Sequence, residues 1–168
     1  MDQQFLIFLA VGFAAQMVDG AIGMAYGATS SSILLSMGIP PATTSASVHA
    51  AKVFTSGASG LAHWRYGNYD FGLVRRLALF GMLGGAIGAI GVVYVPVNIV
   101  TPVVAIYLML LGLLIIARAL QMRRGGEANV GDVRPLGFIG GFVDAVGGGG
   151  WGPVVTSTLL QRQSPIRE

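Results

Sequence analysis

The sequence predicts an all-α integral membrane protein, a helical bundle of inverted repeats that contains broken, glycine-rich hairpin helices. Three observations support this fold class: the composition, the clustering of charges, and an internal repeat. Of the 168 residues, 54% are hydrophobic and only 10% are charged, and the mean hydropathy is +0.71. A soluble domain normally carries about a quarter charged residues. This chain therefore has too little charge to cover a water-facing surface.

The charges leave two long apolar runs, at 77–95 and 99–117, each with 19 uncharged residues. At 1.5 Å per residue, either run is long enough to cross the ~30 Å hydrocarbon core as a helix. Arginines concentrate in the flanking connections at 63–76 and 118–134, whereas the link at 95–98 has none. Because basic loops favour the cytoplasmic side, we place both arginine-rich connections there and expect a multi-pass protein of the inner cell membrane.

Three further apolar segments precede these runs, at about 5–24, 28–37 and 43–62. The middle one has ten residues, which make roughly 15 Å of helix, or half of the hydrocarbon core. We therefore predict that 28–37 forms a hairpin with 5–24 and does not cross the membrane by itself.

The chain repeats itself at an offset of 125 residues, with no gap over the two hairpin regions. Residues that recur are Gly12, Phe13, Val18, Asp19, Gly23, Gly27, Leu34, Leu35 and Pro40, matched by Gly137, Phe138, Val143, Asp144, Gly148, Gly152, Leu159, Leu160 and Pro165. We predict a first transmembrane repeat at 1–122, a cytoplasmic linker at 123–132 and an incomplete second repeat at 133–168. Because the first repeat is predicted to cross the membrane an odd number of times, we expect the second repeat to have the inverted orientation. The alternative is a parallel arrangement of four plus four membrane-crossing helices.

The glycine run of the second copy fits G-x-G-x-x-G, but the first copy does not keep that pattern, which argues against a nucleotide-binding loop. With no cysteine and only two histidines, there is no metal-ligand cluster, and no cofactor is expected. The pI of about 9.7 follows from the basic loops, so no nucleic-acid partner is expected either.

Both copies place a Val-Asp before the glycine-rich break. The residues predicted to serve helix breaking or coupling are Asp19, Gly23, Gly27, Asp144, Gly148 and Gly152. Broken helices in matching positions of two repeats point to a transporter's binding site, and glycine also permits close helix packing. For the two aspartates, we expect that each caps the half-helix after its break, and proton coupling is the alternative.

A polar stripe follows one face of the segment at 43–62: Ser45, His49, Lys52 and Ser56, at spacings of four, three and four. Charged groups at membrane depth need a partner or a cavity. Our hypothesis is that these four residues bind an anionic substrate, with Lys52 as a compact cation. The alternative is that Lys52 snorkels or pairs with Asp19, and that His49 only packs.

The stretches "GFAAQMVDGAIGMAYG", "TTSASVHAAKVFTSGASGLAHWRYGNYD" and "GFIGGFVDAVGGGGWGPVVTSTLL" resemble the TauE/SafE family of sulfite and organosulfonate exporters. This resemblance implies export of small sulfur-containing anions from the cytoplasm, by a membrane transporter and not an enzyme. A membrane scaffold or accessory subunit is the alternative. The expected partners are the small anion, the lipid bilayer, and either further copies of the chain or the missing second half.

The placement of the basic loops gives a topology prediction. Single cysteines at Asn68 and Asn129 are expected to be shielded from a membrane-impermeant thiol reagent in intact cells, whereas a cysteine at Asn98 is expected to react. The chain has no native cysteine to interfere. Labelling of positions 68 and 129 from outside the cell would contradict the predicted orientation.

Overall fold

In the computed structural model, residues 3–22, 24–67, 69–121 and 131–159 are described, and every regular element within those ranges is helical, which confirms the all-α class. The elements are α1 (Gln3–Ile22), α2 (Tyr26–Ser36), α3 (Pro41–Arg65), α4 (Phe71–Tyr94), α5 (Val97–Gln121), α6 (Arg134–Gly147) and a π-helix (Trp151–Thr156). Gly23, one of the predicted helix-break residues, lies outside the described residues, as do linker residues 123–130.

Local chemistry sets the helix boundaries. Pro41 occupies the first turn of α3, where its missing N–H costs no hydrogen bond. The Asp70 carboxylate caps α4 by accepting hydrogen bonds from the backbone N–H groups of Gly72 (2.8 Å) and Leu73 (3.1 Å). Pro96 separates α4 from α5, and its carbonyl accepts hydrogen bonds from the first turn of α5. As a result α3 and α4 begin earlier than the apolar runs predict.

Within the described ranges, two helices are long and apolar enough to cross a membrane, Phe71–Tyr94 and Val97–Ala117, and they correspond to the two predicted spans. The short segment is also helical: α2 has 11 residues, about 17 Å at 1.5 Å each, and so reaches only part of the way through a bilayer. By contrast, α3 has 25 residues and is long enough to span, but it carries the polar stripe.

Glycines let α4 and α6 pack with their backbones almost in contact. A Cβ on Gly84 would overlap the backbone carbonyl of Phe138, and one on Gly88 would lie 2.6 Å from the carbonyl oxygen of Phe142. From the other side, a Cβ on Gly141 would overlap the backbone of Gly81. Small residues of this kind allow membrane helices to approach closely and gain van der Waals contact.

The order of these contacts shows that α4 and α6 run parallel. Leu77 lies against Gly137, Gly81 against Gly141, and Gly88 against Phe142, so position along one helix rises with position along the other. The N-terminal ends of parallel helices lie on the same side. Arg75 and Arg76 near the start of α4 and Arg134 at the start of α6 therefore lie on one face of the bundle.

Two glycines of α4 provide a matched test of this packing. Gly84→Ala is expected to lower the free energy of unfolding by about 1–3 kcal/mol, because the new methyl group overlaps the backbone of α6. Gly91→Ala is the control, since a Cβ there meets nothing within 4 Å, and is expected to be neutral or stabilising. Denaturant titration in detergent measures both, and equal effects of the two substitutions would contradict the packing.

Candidate functional site

The first hairpin turns at a break that Asp19 bridges. Near the C-terminal end of α1, one oxygen of its carboxylate, Oδ1, accepts hydrogen bonds from the backbone N–H groups of Ala25 (2.7 Å) and Tyr26 (2.9 Å). These N–H groups open α2 and have no partner within that helix. A carboxylate at a helix N-terminus also interacts favourably with the helix dipole. Asp19 therefore supplies from α1 the cap that α2 lacks.

The second hairpin repeats this arrangement around Asp144. Its Oδ1 accepts a hydrogen bond from the backbone N–H of Trp151 (3.0 Å), the residue equivalent to Tyr26 at the offset of 125. Between the two, α6 ends at Gly147 and is followed by Gly148, whose φ of 74° lies in the left-handed region that favours glycine. The chain then resumes as the π-helix, a conformation that is rare and often found at functional sites.

The breaks of the two hairpins touch each other. A Cβ on Gly27 would overlap the backbone at Gly148 and Gly149, and a Cβ on Gly152 would lie 3.0 Å from the Cα of Met24. At the offset of 125, Gly27 corresponds to Gly152, and Met24 corresponds to Gly149. Exchanging the two hairpins therefore turns the contact of Gly27 with Gly149 into the contact of Gly152 with Met24. A contact with this property is isologous and indicates a local two-fold relation between the hairpins.

Lys52 of α3 joins the second hairpin at its break. Its Nζ lies 2.9 Å from Oδ1 of Asp144 and donates a second hydrogen bond of 2.9 Å to the carbonyl of Gly148. The side chains of Lys52 and Asp144 are 23% and 13% exposed, so the pair is largely removed from solvent. One side chain of α3 thus neutralises the acid of the second hairpin and also satisfies a carbonyl freed by the end of α6.

His49 completes the group, one turn before Lys52. Its Nε2 lies 3.2 Å from Oδ2 of Asp144, and its Nδ1 lies 2.8 Å from the backbone carbonyl of Ser45. A carbonyl oxygen and a carboxylate are both acceptors, so both ring nitrogens face acceptors. Satisfying both contacts requires a proton on each nitrogen, or one on the carboxyl group. This geometry is suited to holding an exchangeable proton between His49 and Asp144.

A cavity of about 620 Å³ lies where the hairpins and α3 meet. It is lined by both aspartates, His49, Lys52 and a set of polar side chains, Gln16, Thr55, Ser56, Ser59 and Thr156. Two carboxylates against one ammonium give this lining a net charge of −1 when His49 is neutral and zero when it is protonated. The cavity is large enough for a small anion, and its charge does not by itself favour one.

A second cavity, of about 700 Å³, lies on another side of the same group. Its lining comes mostly from small and apolar residues of α3, α4 and α6, but it also includes Ser45, His49 and Asp144. Both cavities border on His49, Asp144 and Trp151, so these three side chains form part of the wall between them.

The predicted site residues fall into three groups. His49, Lys52, Asp144 and Gly148 come together as one cluster, and Ser56 lines the cavity beside them. Ser45 is buried and donates a hydrogen bond to the carbonyl of Ala145 (2.5 Å), so it ties α3 to α6 and does not line the polar cavity. Asp19, Gly27 and Gly152 lie at the hairpin breaks.

The suggested pairing of Lys52 with Asp19 is wrong: Lys52 pairs with Asp144. The reason is that α3 packs against α6, which brings the second acid within reach of the stripe. Sequence reasoning also missed Trp151, whose ring fills the space beside Gly81, and Ser31, which is fully buried next to Gly148. The offset marks Trp151 as the counterpart of Tyr26, but only folding shows what each ring contacts.

Comparison with known proteins agrees with the resemblance in the sequence. Residues 8–167 match the family described as Sulfite exporter TauE/SafE. The chain is also similar to the "Probable membrane transporter protein YtnM" of Bacillus subtilis (strain 168), with 41% identity over 167 residues. That match covers 96% of this chain and 56% of the relative, so the chain spans about half the length of the relative. No solved structure matches the chain.

Proposed function

Because this chain belongs to the TauE/SafE sulfite exporter family of membrane transporters, we propose that it forms part of a transporter that exports a small sulfur-containing anion, such as sulfite or a sulfonate, across the inner membrane. The observation that best supports this function is the polar cavity of about 620 Å³ between two broken hairpins, with Lys52 on its wall. Transporters built from repeats place their substrate sites where such broken helices meet.

In this proposal Lys52 is the residue that meets the anion. Among the described residues lining the cavity, it is the one with a permanent positive charge. Its ammonium group is held by Asp144, so binding the substrate requires that Lys52 exchange a carboxylate for a sulfur oxyanion. Such an exchange keeps an anion beside the same cation, but it leaves the largely buried Asp144 carboxylate without its own cation. Ser56 and Thr156 on the same wall supply hydroxyl donors for the remaining substrate oxygens.

His49 and Asp144 have a different part in the proposal, the transfer of a proton. When Lys52 leaves Asp144, a proton moving from His49 to the carboxyl group compensates the lost cation. The short contact between Nε2 of His49 and Oδ2 of Asp144 makes that transfer direct. Anion movement and proton movement are then coupled through one carboxylate, in keeping with the use of carboxylates and histidines as proton relays in membrane transporters.

Alternating access is the proposed mechanism, and the two cavities support it. Both reach the wall formed by His49, Asp144 and Trp151, one through polar residues and the other through apolar ones. A movement of one hairpin against the other would make the side chains of this wall accessible from one cavity and inaccessible from the other. At the hairpin breaks, the glycines Gly27, Gly148, Gly149 and Gly152 bring the backbones into contact, and they present no side chains of their own to obstruct such sliding.

Anion flux from sealed vesicles tests the function. The vesicles carry the chain alone, or together with the part of the Bacillus subtilis relative that lies outside the match. Saturable efflux of labelled sulfite or a sulfonate is expected from vesicles that carry both polypeptides and not from vesicles that carry the chain alone, and Lys52→Met is expected to abolish it. Arg65→Met is the control, since it removes one positive charge from the exposed end of the same helix, and is expected to retain flux.

Loss of folding must be separated from loss of binding. Lys52→Met alone leaves Asp144 without its cation, so the double variant Lys52→Met/Asp144→Asn is included to remove both charges. The double variant is expected to fold and not to transport. Flux at the wild-type rate in the double variant would contradict the role of Lys52. Absence of saturable anion flux in both vesicle preparations would favour a scaffold or accessory subunit.

A further inference from the structure

The two related aspartates have unequal partners. Asp144 binds the backbone of its own hairpin and, in addition, the side chains of Lys52 and His49 from α3. Asp19 binds the equivalent backbone groups through Oδ1, and within the described part of the chain its Oδ2 has no hydrogen-bond or ion-pair partner. The two hairpins are therefore related by a local two-fold axis, but the side chains that contact their aspartates are not.

The same inequality appears on the helices that carry these acids. In α6, Gly137 is covered by α4, since a Cβ there would lie 3.0 Å from the carbonyl of Leu77. Its counterpart in α1, Gly12, has nothing within 4 Å of a Cβ. The neighbouring counterparts on α1, Phe13 and Met17, are 66% and 63% exposed. The α1 surface equivalent to the one that α4 covers on α6 is uncovered.

One edge of this uncovered surface carries polar side chains that border the polar cavity. Gln16 is exposed, and it lines the polar cavity together with Asp19. Polar and ionisable groups in a membrane helix usually face protein or a water-filled cavity, because lipid offers them no hydrogen bond. The surface formed by Gly12, Phe13, Gln16, Met17 and Asp19 is here called the α1 face.

We propose that the α1 face binds a pair of membrane helices equivalent to α3 and α4. The first of these helices carries a cationic side chain that pairs with Oδ2 of Asp19, as Lys52 pairs with Asp144. The second packs against Gly12 and Met17 on the side that α4 covers on α6, but at a greater distance, because α1 has Gln16 where α6 has Gly141. The occupant is specified by charge complementarity and by the contacts already seen on the related hairpin.

The length of the relative is consistent with such an occupant. The chain spans 56% of that protein, and the remainder is long enough to contain two membrane helices. A second copy of this chain is a poorer occupant, because the Lys52 and His49 of each copy are already engaged by its own Asp144.

The proposed contact would change the charge of the cavity. One further cation offsets Asp19 and brings the lining from −1 to zero with neutral His49, or from zero to +1 with protonated His49. A positive or neutral lining suits an oxyanion better than a negative one. Occupation of the α1 face therefore prepares the cavity for the substrate class proposed above, although the contact itself does not depend on that function.

Photo-crosslinking tests this interface in the full chain. The chain has no cysteine, so a benzophenone can be attached at Met17→Cys on the α1 face or at Met109→Cys on α5. The two methionines are similarly exposed, at 63% and 59%. The probe is a tagged polypeptide comprising the part of the Bacillus subtilis relative outside the match, co-expressed with the chain and verified in the membrane fraction.

Cross-linking to the tagged polypeptide is expected from position 17, about tenfold or more above that from position 109. Asp19→Asn is expected to reduce the yield about tenfold, and Asp19→Glu, which keeps the charge, to retain most of it. Equal yields from both positions, or a yield unaffected by Asp19→Asn, would overturn the proposal. So would lipid adducts alone, or cross-links between two copies of the chain. No transport is required, so failure of the transport function leaves this result interpretable.

Discussion

The structure depends on how the backbone groups freed at the two helix breaks are satisfied. A bilayer provides no water to hydrogen-bond an exposed N–H or carbonyl group, so a broken helix must find partners within the protein. Asp19 and Asp144 accept from the N–H groups that open the following helical segments, and Lys52 donates to the Gly148 carbonyl where α6 ends. These contacts allow glycine-rich breaks to persist, and the breaks in turn create the polar cavity between the hairpins.

Capping a break with a carboxylate introduces a charge that itself needs compensation. At Asp144 the compensation comes from Lys52 and His49 on α3, 92 and 95 residues away in sequence. This ion pair holds α3 against the second hairpin at the wall of the polar cavity. Lys52 thereby stabilises the fold and also lies on the wall of the cavity. Its contact with Asp144 serves both the stability of the fold and the proposed function. At Asp19 the described residues do not make this compensation, and the proposed occupant of the α1 face would supply it.

Much of the fold follows from patterns that the sequence shows directly. Long uncharged runs predict α4 and α5, because few other sequences of that length can cross a hydrocarbon core. The ten-residue segment predicts the short α2, and the offset of 125 predicts that the hairpins are related. The polar stripe of α3 identifies His49 and Lys52 as unusual in an apolar chain, and the structure places both of them on the cavity wall.

The partners of these residues could not be predicted in the same way. Either aspartate was an electrostatically reasonable partner for Lys52, and only the packing of α3 against α6 selects Asp144. The glycines of α4 and α6 allow these two helices to approach closely, but their spacing in the sequence does not show which helix α3 packs against. Ser45 shares the stripe with His49, yet Ser45 binds the Ala145 carbonyl and borders the apolar cavity, whereas His49, one turn later, also borders the polar cavity.

A double-mutant cycle on Lys52 and Asp144 tests most directly whether their ion pair holds α3 against the second hairpin. The free energy of unfolding in detergent is measured for the wild type, Lys52→Met, Asp144→Asn and the double variant. Each single variant is expected to lose about 3–5 kcal/mol, because it leaves one charge buried without its partner. The double variant is expected to lose much less than the sum, with a coupling of about 1–3 kcal/mol or more. Additive losses, with no coupling between the two positions, would contradict the account.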